Sequence, residues 1–162
     1  VSGLYIDETL ILDDLGETTK EGVLRTLATN LHQQGLVSES YIQAVIDREN
    51  EYATGLPTKG PSVAIPHTDK EHVLTKTLSV GVLAHPVDFG VMGEREQTTP
   101  VELIFMLAMD DEHTQLHMLQ RLMNIFQDKD QLEFYKNTKD KTERKKALAE
   151  ALELSRQGGE TT

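Results

Sequence analysis

The chain contains no cysteine among its 162 residues. That absence excludes disulfides, thiolate nucleophiles and cysteine-ligated zinc, and it suits a reducing compartment. Basic residues are also scarce, with 16 lysines and arginines against 27 acidic side chains and a net charge of -11. This is the wrong sign for tracking a phosphate backbone, so no nucleic-acid partner is expected. Nowhere do about 18 apolar residues occur in succession, the minimum for a spanning helix. The segment Val1 to Leu12 lacks the basic stretch and apolar core of a secretory leader. The expectation is a cytoplasmic protein without membrane insertion. Neither an internal repeat nor a low-complexity tract is visible.

What is present is enough apolar material, 38% of residues, for one core. A single domain over 1–157 is expected, with 158–162 as a disordered tail. Thr9 to Leu12 reads as an edge strand, followed by a turn at Asp13-Asp14-Leu15-Gly16. Thr18 with Glu21 forms a capping-box pattern ahead of Val23, Leu24, Leu27 and Leu31 at helical spacing, and Gly35 marks the stop. Ser38 is placed as the cap of a second helix, with Tyr41, Ile42, Val45 and Ile46 on its apolar face and an end near Glu51. Tyr52 to Pro61 is too rich in glycine and proline for helix or central strand.

Ser62 to Ile65 reads as a short buried strand, ended by Pro66 because proline has no N–H for the ladder. Leu78 to Ala84 and Val101 to Met109 are continuous apolar runs, as in strands covered on both faces. The stretch between them, with Pro86, Gly90, Gly93 and Pro100, is expected to be a loop. Leu116, Leu119, Leu122, Met123 and Phe126 define an amphipathic helix after Asp111, and Asp130 and Asp140 mark the starts of two more. The fold class is therefore α/β: a central mixed sheet flanked on both faces by helices.

Three residues stand out for chemistry. His67 follows a buried strand and a rigid proline, so its ring is held at a strand exit, where function concentrates. A neutral imidazole near pH 7 is a competent nitrogen nucleophile, although the spacing alone fits a loop histidine bonded to backbone just as well. Arg48 sits at the end of the second helix, and its planar, permanently charged fork suits a phosphoryl group. The bland alternative is an ion pair with Asp47 or Glu51. His113 lies where a strand hands over to a helix N-terminus, a place that attracts anions, although Asp110, Asp111 and Glu112 supply opposing charge and are candidates to cap the helix. Thr54, Ser62 and Thr68 are possible donors to a phosphoryl oxygen but equally ordinary turn residues. His117, four residues after His113, has the spacing of a metal pair without the acidic residue of the zinc-protease arrangement. Gly55, Gly60 and Pro61 do not form a nucleotide-phosphate loop.

The runs Arg48-Glu49, Thr54-Gly55 and Val63-Ala64-Ile65-Pro66-His67-Thr68 resemble the enzyme IIA domains of the mannitol and fructose type in the phosphoenolpyruvate-dependent phosphotransferase system (PTS). Pro86 to Phe89 and Val101 to Ala108 are similar to the branch grouped with galactitol-type components, and the likeness runs over about residues 5–152. The resemblance implies that His67 takes a phosphoryl group from the phosphocarrier HPr and passes it to an enzyme IIB component, with the IIC membrane component served indirectly. It also implies that Arg48 and His113 surround the phosphohistidine, and that neither cofactor nor metal takes part. Two rivals share these residues: a regulatory phosphoacceptor whose phosphorylation controls a partner, and a metal-dependent hydrolase built on His67, His113 and His117.

Overall fold

The structure, a computed structural model, describes residues 3–158. In chain order its elements are β1 (Ile11–Leu15), α1 (Lys20–Gln33), α2 (Ser40–Glu51), β2 (Gly55–Leu56), β3 (Ser62–Ala64), β4 (Thr77–Val91), β5 (Glu94–Ala108), α3 (Glu112–Phe126), α4 (Lys129–Asn137) and α5 (Lys141–Gly158). Short 3-10 turns occupy Glu8–Leu10 and Lys70–His72. The sheet is mixed, as expected: β1 pairs in parallel with β4 and β3 with β5, while β4 and β5 are antiparallel. Of the tail expected at 158–162, Gly158 ends α5 and residues 159–162 lie outside the described residues.

The β4–β5 hairpin organises everything else. Along the base of β5, Ile104, Met106 and Ala108 enter one core while Leu103, Phe105, Leu107 and Met109 enter the other. Burial on both faces is why that run carries almost no polar residue. Helices α1 and α2 cover the first core through Leu24, Leu27, Tyr41 and Val45. Helices α3, α4 and α5 cover the second through Met118, Leu122, Leu132 and Leu148, where the Phe105 ring lies 5.2 Å from that of Phe126 and 6.0 Å from that of Tyr135. Full burial of one such side chain contributes roughly 1.5–3 kcal/mol, so the two helical layers are fixed by the hairpin between them.

Several sequence expectations need correction. The stretch 85–100 is not a loop but the distal half of the hairpin. It returns to alternation, with Val87 and Phe89 buried and Pro86 and Asp88 exposed, and Pro86 falls where the register shifts between Val82 and Val87. Met92 and Gly93 turn the chain, Gly93 taking a positive φ of 78°. The breaker-rich stretch after α2 contains β2, which pairs with both β3 and the tip of β4, so that β4, β5, β3 and β2 close a ring of pairings. A Cβ on Gly55 would lie 2.5 Å from the carbonyl oxygen of Gly90, which is why glycine occupies that crossing.

At the N-terminal end, β1 extends through the expected turn to Leu15, with Asp14 at φ 52° and an irregularity between Leu12 and Leu15. Capping is offset at three helices. Thr19, not Thr18, caps α1 by accepting from Gly22 N–H, leaving Glu21 to pair with Arg25. Ser38 does not cap α2; its hydroxyl donates to the His72 carbonyl. Asp128, not Asp130, caps α4. Asp140 caps α5 as expected, accepting from Thr142 and Glu143 N–H, and Gly35 closes α1 at φ 79° with Leu36 N–H bonded to the Leu31 carbonyl.

Candidate functional site

Three hydrogen bonds fix the segment that carries His67. Ile65 N–H donates to Thr54 Oγ1 at 3.1 Å, Leu107 N–H of β5 donates to the Pro66 carbonyl at 2.9 Å, and the His67 ring places Nδ1 2.8 Å from the Ile65 carbonyl oxygen. A carbonyl only accepts, so Nδ1 carries the proton and the neutral ring keeps its lone pair on Nε2. Burial lowers the His67 pKa below its ordinary 6.5, and the Arg48 charge acts in the same direction; the Ile65 bond and Asp69 oppose them. The result is a half-buried, neutral imidazole whose Nε2 has no hydrogen-bond partner among the described residues.

Arg48 comes from the last turn of α2. Its guanidinium does not pair with Asp47 or Glu51. It reaches across to the His67 loop, with Nη1 3.3 Å from Asp69 Oδ1, and it lies 5.0 Å from the centre of the Tyr52 ring. With 35% of the arginine side chain and 65% of the aspartate exposed, this pair contributes only ~0–1 kcal/mol. A stronger anion arriving at His67 can recruit the fork at little cost.

Behind the ring lies a polar network that the sequence analysis did not assign. Glu49, the next residue after Arg48, is 2% exposed and its carboxylate accepts from both Thr54 N–H (2.7 Å) and Thr54 Oγ1 (2.8 Å). Burial pushes the Glu49 pKa up to about 7, while the Thr54 hydrogen bonds pull it down. A signal was available: Glu49 continues the i, i+4 series Tyr41, Val45, Glu49 on the buried face of α2. Asp69 carried no comparable signal, because its role depends on the loop folding back toward α2.

His113 is exposed in the first turn of α3, and among the described residues no hydrogen bond joins it to His67. It does emerge at the same end of the sheet. β3 and β5 run parallel with Ala64 opposite Ile104, so their C-terminal ends leave together. Asp111 caps α3 by accepting from Thr114 N–H and hydroxyl; those bonds lower its pKa, and the charges of His113 and Lys70 lower it further. The helix N-terminus is thus already occupied by an acidic cap. His117, one turn on, is also exposed, and among the described residues no three His, Asp or Glu side chains converge as metal ligands. No described helix is long and apolar enough to cross a membrane.

Residues 4–151 match the family described as "Phosphoenolpyruvate-dependent sugar phosphotransferase system, EIIA 2". The galactitol-specific EIIA component of the PTS from Escherichia coli K12 is 26% identical over 111 residues, 68% of this chain and 73% of that protein. The IIA domain for mannitol of Escherichia coli, solved in complex with phosphorylated enzyme IIB, superposes with a TM-score of 0.71 at 25% identity, covering 92% of this chain and 97% of that one. The nitrogen regulatory protein IIA-Ntr from Neisseria meningitidis shares the fold, with a TM-score of 0.70 at 22% identity over 88% of this chain and 94% of its own. The mixed sheet with helices on both faces is the architecture of these IIA domains, and the chain belongs to the EIIA type-2 family of the phosphotransferase system.

Proposed function

We propose that this domain is a phosphocarrier of sugar uptake in the cytoplasm, receiving a phosphoryl group on His67 from phospho-HPr and delivering it to a IIB component that serves a IIC transporter. The observation that carries the reading is the Nδ1 contact with the Ile65 carbonyl, which leaves Nε2 as the nucleophile. In the forward step the Nε2 lone pair forms a bond to phosphorus as the P–N bond to the donor histidine breaks, and that electron pair returns to the donor ring. The proton on Nδ1 stays shared with Ile65 throughout, so the Ile65 carbonyl stabilises positive charge developing on the ring.

Arg48 is the group that meets the charge on the equatorial phosphoryl oxygens, leaving Asp69 to do so. Transfer of this kind depends on position and charge more than on covalent chemistry, and it calls on no metal or nucleotide. His113 is assigned a supporting place at the rim, where a partner's ring would enter. A regulatory phosphoacceptor is the second reading, favoured by the fold shared with IIA-Ntr; a partner other than IIB receiving the signal would distinguish it.

The test is incubation with phosphoenolpyruvate, enzyme I and HPr, followed by intact mass measurement. One acid-labile phosphate is expected on the wild type and none on His67→Ala. Labelling that persists in the variant would overturn the assignment.

A further inference from the structure

We infer that Glu49 and Thr54 are positioning residues for phosphoryl transfer, acting through the Ile65 backbone to hold the His67 ring in the one tautomer that presents Nε2. The inference rests on the phosphocarrier reading for its consequence, but not for its geometry.

The chain of bonds is continuous. Glu49 accepts from Thr54 N–H and from the Thr54 hydroxyl, so the hydroxyl proton is committed to Glu49 and the oxygen lone pairs turn toward Ile65. Ile65 N–H donates to that oxygen, and the carbonyl of the same residue accepts from His67 Nδ1. Glu49 and Thr54 are 2% and 4% exposed, so water does not compete for these bonds. Without Glu49 the hydroxyl is free to turn its proton toward Ile65 N–H, donor against donor. Without the hydroxyl, Ile65 N–H is left without an acceptor in a buried place, and the Ala64–Ile65 peptide plane must tilt or shift. Either change displaces the Ile65 α-carbon and, through it, the adjoining Ile65–Pro66 carbonyl that fixes the ring.

A buried carboxylate is costly to desolvate, and Thr54 main-chain N–H alone needs only one acceptor. The second carboxylate oxygen is spent on orienting a hydroxyl whose remaining contact is the phosphoacceptor loop. Nothing comparable stands on the other side of His67: Thr68 and Asp69 make no bond to the Ile65 peptide among the described residues.

The experiment compares Thr54→Val, which is close to isosteric, with Thr54→Ser, which keeps the hydroxyl, and with Glu49→Gln. Two quantities are read: the ring 15N shifts of His67, which distinguish the protonated nitrogen, and the single-turnover rate of phosphorylation by phospho-HPr. Thr54→Val is expected to mix the two tautomers and to slow transfer about tenfold, since small misplacements of reacting groups are costly. Thr54→Ser should restore both quantities, and Glu49→Gln should fall between. If Thr54→Val does not fold, Glu49→Gln decides. A folded Thr54→Val or Glu49→Gln protein with the wild-type 15N pattern and wild-type rate would overturn the inference. Failure of the phosphocarrier reading looks different: the wild type would take no phosphate, while the 15N comparison would still report on the network.

Discussion

The two sides of His67 are built differently. Upstream, α2 supplies Arg48 and Glu49, and the residues flanking β2 and β3 supply Thr54 and Ile65; the last three are almost fully buried and joined by hydrogen bonds. Downstream, α3 supplies His113, exposed and without a bond to the ring, behind an acidic cap of its own. The difference separates two tasks. On the proposed phosphocarrier reading, the upstream side sets the state of the imidazole before a partner arrives, and the downstream side is left open for the partner's reacting group.

If that division holds, the two supporting residues differ in weight. Arg48→Ala should slow phosphorylation of His67 by about 10²-fold, the usual cost of losing a donor aimed at developing charge, whereas His113→Ala should cost about tenfold or less. Rapid-quench measurement with phospho-HPr checks both; equal losses, or a larger one at His113, would break the comparison. Circular dichroism should find both variants folded, since each side chain is substantially exposed.

A smaller effect sharpens the upstream half alone. Glu49 has a folded pKa of about 7 against 4.5 for a free glutamate. Between those values the folded protein holds a proton that the unfolded chain has released. The stability tied to this group is therefore fully present below 4.5 and is lost as pH rises through about 7. The amount is at most about 3 kcal/mol. Thermal unfolding of the wild type and Glu49→Gln across that window isolates it: the wild type should lose stability relative to the variant as pH rises, and parallel curves would show that the carboxyl is not held protonated.

How much of this was legible beforehand follows from what each signal depends on. The base strands were readable because burial on both faces removes polar residues from a continuous run, as in Val101 to Met109. The strand that ends at Pro66 was readable because a missing N–H is a local property. The distal hairpin was not, since Pro86 and Pro100 look like breakers until a register shift gives the first of them a place. Thr19 and Asp128 cap their helices where Thr18 and Asp130 were favoured; neighbouring polar residues differ in backbone angle, which the sequence does not display. For the site, position put His67 at a strand exit and the resemblance supplied its chemistry and its neighbours. The link from Arg48 to Asp69 spans 21 residues and exists only after folding. Glu49 was visible as a charged residue on an apolar helix face, a conflict that a site explains.

The central claim is that His67 accepts phosphate on Nε2 while Nδ1 remains bonded to Ile65. Phosphorylating 15N-labelled protein through phosphoenolpyruvate, enzyme I and HPr, and recording long-range 1H–15N correlations of the ring, tests it most directly. The account predicts phosphorus on Nε2 of His67, with a protonated Nδ1. Phosphate on Nδ1, or on any other residue, would contradict it.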